Sequence, residues 1–81
     1  MVMVVFAPEM RDRAGGLSGT DIEATTYRGA MRALCQQFPE FSDDMFAKCS
    51  VAIDGVLVHS PLLETFEPDS ELVFIPKITG G

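Results

Sequence analysis

One segment of this chain carries a long helical pattern of apolar residues, and it limits the fold to a single main helix. Its apolar side chains recur at offsets of three, four, seven and eleven positions, which places them on one helix face. They are Tyr27, Ala30, Met31, Leu34 and Phe38. Thr25 or Thr26 can cap the start, and Pro39 stops the helix. The pattern predicts a helix over residues 27–38 whose apolar stripe faces the core.

The segment before this helix has the residue types of two β-strands. Residues 1–6 are β-branched and aromatic at their centre, and Pro8 cannot continue a central strand. A charged stretch, residues 9–14, is long enough for a helical turn, and a glycine-rich connection follows. Residues 20–25 then alternate between apolar and polar side chains, as a half-buried strand does. The sequence therefore predicts an N-terminal hairpin.

A second, shorter helix is predicted after Pro39. Ser42 can cap its start, and Asp43 and Asp44 favour the positive end of a helix dipole. Its buried side is expected to come from three apolar residues, Phe41, Met45 and Phe46.

The remaining residues predict a hairpin and a last strand. Asp54-Gly55 is a tight-turn dipeptide, so residues 50–58 are expected to pair as a short hairpin. After a proline-containing connection, residues 71–75 form an apolar strand that Pro76 ends.

This order of elements predicts an α+β fold with a mixed sheet packed on one main helix. The first and last strands are apolar on both faces, which suits central positions in the sheet. We expect one domain over residues 1–76 and a flexible C-terminal tail over residues 77–81.

The net charge argues against nucleic acid as a partner, and the lengths of the apolar runs argue against a membrane span. The net charge is −6, from twelve acidic and six basic side chains, whereas nucleic-acid binding needs a cationic surface. A protein partner with a basic face, or solubility alone, explains the charge. The longest apolar run, residues 1–7, is too short to span a membrane, and it lacks the positively charged start and the small-residue cleavage site of a signal peptide. We therefore expect a cytoplasmic protein.

The domain offers no predicted active site built from side chains. His59 is the only histidine, and Ser60 beside it points to the opposite side of an extended chain. Cys35 and Cys49 are too few for a metal site or an iron–sulfur cluster. We expect no metal, and we expect the chain not to be an enzyme by itself.

The C-terminal segment is the remaining candidate for function, and its sequence over residues 76–81 is Pro-Lys-Ile-Thr-Gly-Gly. Six extended residues reach roughly 20 Å, enough to enter the active site of a partner. Gly80 and Gly81 lack side chains, so they can pass through a narrow channel and leave the Gly81 carbonyl open to attack. A carboxylate must first be activated, for instance as an acyl adenylate made from ATP.

The segment Glu-Leu-Val-Phe-Ile-Pro at residues 71–76, followed by Gly80-Gly81, resembles the MoaD/ThiS family of sulfur carriers, which are relatives of ubiquitin. The likeness is closest to the small subunits of molybdopterin synthase. Residues 51–55 are similar to the middle hairpin of that family. Residues 4–7, with Arg11 soon after, are similar to its first strand and loop.

The resemblance implies a β-grasp (ubiquitin-like) fold and a working group at the Gly81 carboxylate. A MoeB/ThiF-like adenylyltransferase, using ATP, would adenylate Gly81, and a sulfurtransferase system would convert it to a thiocarboxylate. The tail would then enter a MoaE-like large subunit of molybdopterin synthase and donate sulfur to cyclic pyranopterin monophosphate. No cofactor would be bound permanently.

The resemblance also implies a set of partner-binding residues near the tail. They are Phe74, Ile75, Pro76, Lys77 and Gly80, and an apolar patch around Phe74 and Ile75 would help dock both partners.

The receiving pathway stays open. Lys77 stands where many molybdopterin-type carriers have a second proline. Sulfur transfer in thiamin synthesis, transfer-RNA thiolation or cysteine synthesis is an alternative. A ubiquitin-like protein modifier and a β-grasp interaction module that ignores its tail are two others.

Overall fold

The computed structural model describes residues 1–58 and 61–77, and the predicted elements follow one another in the predicted order. The strands are β1 (Val2–Val5), β2 (Gly19–Ile22), β3 (Cys49–Ile53), β4 (Val56–Val58) and β5 (Glu71–Pro76). The helices are α1 (Pro8–Arg13), α2 (Tyr27–Gln37) and α3 (Asp43–Ala47), and a 3₁₀ turn spans Pro61–Leu63. No helix in the described ranges is long and apolar enough to cross a membrane.

The strands form one mixed sheet in the order β2-β1-β5-β3-β4. β1 runs parallel to β5, while the β1–β2, β3–β5 and β3–β4 pairs are antiparallel. The two strands that are apolar on both faces therefore lie inside the sheet, with β5 at its centre. The prediction of central positions for the first and last strands is confirmed.

α2 covers one face of this sheet and begins where the sequence predicted. The hydroxyl of Thr26 accepts a hydrogen bond from the Gly29 amide at 3.0 Å, which caps the helix. Tyr27, Ala30, Leu34 and Phe38 are buried, and Met31 is half-buried against the core. The predicted helix is confirmed, one residue shorter than expected.

The charged stretch after β1 forms a complete short helix, α1. Pro8 occupies the first turn, where a missing amide proton costs nothing, and Met10 points into the core. Glu9 and Arg13, one turn apart, form an ion pair at 3.7 Å.

β2 is shorter than predicted because the chain changes pairing partner after Ile22. The Phe66 amide donates to the Thr25 carbonyl at 2.8 Å, and Thr26 forms an isolated bridge with Thr65. These contacts tie residues 25–26 to the connection before β5 instead of to β1.

The predicted second helix and hairpin are both confirmed. Ser42 caps α3 by accepting a hydrogen bond from the Met45 amide at 3.4 Å. Asp54 and Gly55 have φ values of 51° and 84°, the positive values that a tight two-residue hairpin turn requires. Asp tolerates this conformation better than most residues because its side chain is short and polar.

Candidate functional site

The central strand β5 carries the chain to the point where the predicted tail begins. β5 is hydrogen-bonded to β1 on one side and to β3 on the other. Beyond Pro76, the Lys77 amide still donates to the Lys48 carbonyl at 2.9 Å. The chain is therefore anchored as far as Lys77. Gly80 and Gly81 lie outside the described residues, and the extent and flexibility of the tail stay predictions.

The structure corrects the expected apolar patch around Phe74 and Ile75. Phe74 is only 3% exposed, and its ring centroid lies 5.7 Å from that of Phe46 and 6.4 Å from that of Tyr27. Ile75 is 41% exposed, because successive side chains of a strand point to opposite faces. Phe74 therefore belongs to the core, and only Ile75 can contribute its side chain to a surface.

Ile75 lies instead on a larger apolar surface that sequence reasoning missed. We call the sheet face opposite α2 the open face. The strand register places six apolar residues on it, namely Met3, Val5, Ala52, Leu57, Val73 and Ile75. Met3, Leu57 and Ile75 are exposed, and the other three are half-buried. The sequence did contain a signal for this apolar surface. A last strand that is apolar on both faces must present one of those faces away from the helix.

Acidic residues flank one end of the open face. Met3 lies between Asp21 on β2 and Glu71 on β5 in the cross-strand register. An apolar surface bordered by carboxylates is complementary to a protein surface that combines apolar and basic side chains.

A cavity of about 500 Å³ opens beside the last described residue of the chain. Its lining includes Tyr27 and Met31 of α2, Phe46 of α3, Cys49 of β3 and Lys77. Burial raises the pKa of Tyr27 to about 12, and the nearby Cys49 adds to the shift. The phenol is thus protonated at neutral pH, and it can donate a hydrogen bond but carries no charge.

Both cysteines are free and half-buried. Burial raises the pKa of the Cys49 thiol above its ordinary value, Glu9 raises it further, and Lys77 lowers it. Burial and then Asp43 raise the pKa of Cys35. Since the thiolate is the reactive form, neither cysteine is activated as a nucleophile. Cys35 packs against the core.

The remaining residues considered for chemistry add little to the site. His59 and Ser60 lie outside the described residues. In the part of the chain that the structure describes, no three His, Cys, Asp or Glu side chains come close enough to hold a metal ion.

Two solved structures share this arrangement of sheet and helices. A chain of the Amycolatopsis orientalis BexX/CysO complex matches with a TM-score of 0.79 and 15% identity, over 100% of both chains. SAMP1 from Haloferax volcanii matches with a TM-score of 0.69 and 22% identity, over 99% of this chain and 98% of that one. The fold is the ubiquitin-like β-grasp.

The β-grasp assignment rests on structure, since the sequence matches no protein-family model and no curated protein. It confirms the predicted fold class, a mixed sheet on one main helix. In this β-grasp domain the open face and the end of β5 are two features that a partner can contact.

Proposed function

We propose that this chain is a sulfur-carrier protein whose working group is the carboxylate of Gly81. The observation that carries the proposal is the position of β5. The strand that leads toward Gly80-Gly81 is the central one of the sheet, and within the described residues the Lys77 amide donates to the Lys48 carbonyl one residue beyond the strand. A carrier whose own carboxylate is the substrate needs its terminal segment to leave the domain at a fixed point, and Lys77 would supply that point.

The chemistry proceeds in two steps at Gly81. A carboxylate oxygen attacks the α-phosphorus of ATP and releases pyrophosphate, so that Gly81 becomes an acyl adenylate. A sulfur nucleophile at the oxidation level of hydrosulfide then attacks the carbonyl carbon. AMP leaves, and a thiocarboxylate remains. Glycine suits both steps, because no side chain shields the carbonyl carbon.

The catalytic groups for these steps belong to partners. An adenylyltransferase of the MoeB/ThiF type supplies ATP chemistry, and a sulfurtransferase supplies sulfur. The raised pKa values of Cys35 and Cys49 support the assignment of catalysis to partners, because both thiols are mainly protonated at neutral pH.

The open face is the proposed docking surface for the activating enzyme. Ile75 on this face is two residues from Lys77, so a protein seated there would lie beside the origin of the tail. Pro76 and Lys77 would then contact the activating enzyme at the edge of the interface. One of the similar chains was itself solved within a complex, BexX/CysO, which supports a partner-dependent role.

For the receiving pathway we propose molybdopterin synthesis, with this chain as the small subunit of molybdopterin synthase and a MoaE-like protein as the large one. This proposal rests on the resemblance of residues 71–76 and of the terminal Gly80-Gly81 pair to that family.

A reconstitution experiment tests the pathway. The thiocarboxylate form of the chain is mixed with cyclic pyranopterin monophosphate and a molybdopterin synthase large subunit. We expect dithiolene product in proportion to the thiocarboxylate consumed, and none from the unmodified chain. If the thiocarboxylate is stable in this mixture but is consumed with a thiamin, transfer-RNA or cysteine-synthesis partner, the molybdopterin assignment is wrong and the carrier role stands.

A further inference from the structure

The exposed side of α2 carries two arginines one helical turn apart. Arg28 and Arg32 are both exposed and occupy positions i and i+4, which are neighbours on a helix surface. In the described ranges, the single ion pair joins Arg13 to Glu9. Neither Arg28 nor Arg32 therefore has a carboxylate partner within that part of the fold, although the chain has twelve acidic residues.

The position of these arginines opposes helix stability. Arg28 lies in the first turn of α2, at the positive end of the helix dipole, and that turn holds no acidic residue. Like charges at i and i+4 also repel each other. A local arrangement that weakens the helix, with no compensating contact in the described fold, is the kind of departure expected at a functional surface.

An exposed leucine lies next to this basic face. Leu63, in the 3₁₀ turn, is 87% exposed, the largest value among the large apolar residues of the described chain. Together with Thr26, Arg28 and Glu64 it lines a groove of about 290 Å³.

Backbone hydrogen bonds hold this leucine in place beside α2. The Glu64 amide donates to the Pro61 carbonyl at 2.9 Å, and the Tyr27 amide donates to the Glu64 carbonyl at 3.1 Å. The turn is thus fixed to the start of the helix, and Leu63 and Arg28 keep a defined relative position.

We propose that Arg28, Arg32 and Leu63, here called the α2 surface, bind an acidic segment of a partner protein that also carries an apolar side chain. The two guanidiniums match carboxylates, and the groove beside Leu63 matches the apolar side chain. Glu64 on the groove repels a carboxylate there, which directs the acidic groups toward Arg32. A nucleic acid fits poorly, because its binding depends on many phosphate contacts and this surface offers two arginines.

The α2 surface is distinct from the open face, since α2 covers the opposite side of the sheet. The proposal does not depend on the sulfur-carrier function. It gives the domain a second surface with which a different protein can be engaged while the open face is occupied.

The test is an NMR titration of the ¹⁵N-labelled full chain at low salt. The probe is a short peptide of Asp and Glu with one central Leu. Two comparison probes are the same peptide with Asn and Gln, and a single-stranded DNA oligonucleotide of equal charge. We expect amide shifts confined to residues 26–32 and 61–66 with the acidic peptide, and weak or no shifts with the other two.

Matched variants locate the binding. Arg28→Glu/Arg32→Glu should weaken binding of the acidic peptide about tenfold or more. Lys48→Glu/Lys77→Glu makes the same change in net charge elsewhere and should weaken it much less. Leu63→Ser should weaken binding without changing stability, because that side chain is almost fully exposed.

Stability gives an independent readout. Arg28→Glu should raise Tm, since it places an acidic residue in the first turn, while it weakens peptide binding. The proposal is overturned if the wild-type chain shows no shifts on α2, if the two double variants lose binding equally, or if Arg28→Glu lowers Tm. If only the oligonucleotide binds, the partner of the α2 surface is a nucleic acid and not a protein.

Discussion

The carboxylate of Asp54 accepts a hydrogen bond from the hydroxyl of Ser70 at 2.9 Å. Its second oxygen accepts from the Glu71 amide, also at 2.9 Å. Ser70 is buried, and its hydroxyl accepts from the Glu67 amide. A residue of the β3–β4 turn thus fixes the start of β5, the strand that leads to the predicted tail.

We predict that removing this contact destabilises the fold. Asp54→Ala loses two hydrogen bonds and places an alanine at positive φ, so it should cost about 3 kcal/mol of unfolding free energy. Ser70→Ala should cost about 2 kcal/mol. Urea unfolding of both single variants and of the double variant measures the coupling. The double variant should lose about 1 kcal/mol less than the sum, and strict additivity would contradict the direct contact.

The burial of Tyr27 should make the stability of the fold depend on pH in the alkaline range. Its pKa is about 12 in the folded chain and 10.0 ordinarily, so the folded state holds the phenolic proton more tightly. The resulting stability is fully present below pH 10 and is lost as the pH rises from about 10 to about 12. The midpoint of urea unfolding should fall over this interval.

Tyr27→Phe is the matched control, because it keeps the buried ring and removes the titrating group. The variant also removes the electrostatic interaction between the phenol and Cys49. The decline above pH 10 should therefore be smaller in Tyr27→Phe. If the two proteins decline alike, the burial of the phenol does not control stability there.

Much of the fold could be predicted because its signals are local. The offsets from Tyr27 to Phe38 define α2 within one residue, and Ser42 with its acidic followers defines the start of α3. Asp54-Gly55 defines the hairpin turn, because few dipeptides accept positive φ twice.

The errors arose where the pattern is ambiguous or the contact is distant. β5 is apolar on both faces, so alternation alone could not tell that Phe74 faces the core and Ile75 the open face. The contact between Asp54 and Ser70 joins residues sixteen positions apart, with no periodic signal between them. The end of β2 depends on the hydrogen bond between Thr25 and Phe66, which are even further apart in the sequence.

The opposite faces of Phe74 and Ile75 allow a paired prediction about partner binding. Ile75→Thr keeps a β-branched residue but removes exposed apolar area, so we expect the KM for the activating enzyme to rise about fivefold with stability nearly unchanged. Phe74→Leu should instead lower unfolding free energy by about 1–2 kcal/mol and leave KM unchanged.

Steady-state kinetics of ATP-dependent activation, with urea unfolding in parallel, separates the two effects. A rise in KM for Phe74→Leu with none for Ile75→Thr would contradict the open face as the docking surface.

The central claim concerns Gly81, and intact mass spectrometry tests it most directly. The chain is incubated with ATP, sodium sulfide and the activating enzyme, next to a variant that lacks Gly80 and Gly81. We predict a mass gain equal to the replacement of one oxygen by sulfur, mapped to Gly81 and absent from the truncated chain. An unchanged Gly81 in the presence of a demonstrably active enzyme would contradict the sulfur-carrier proposal.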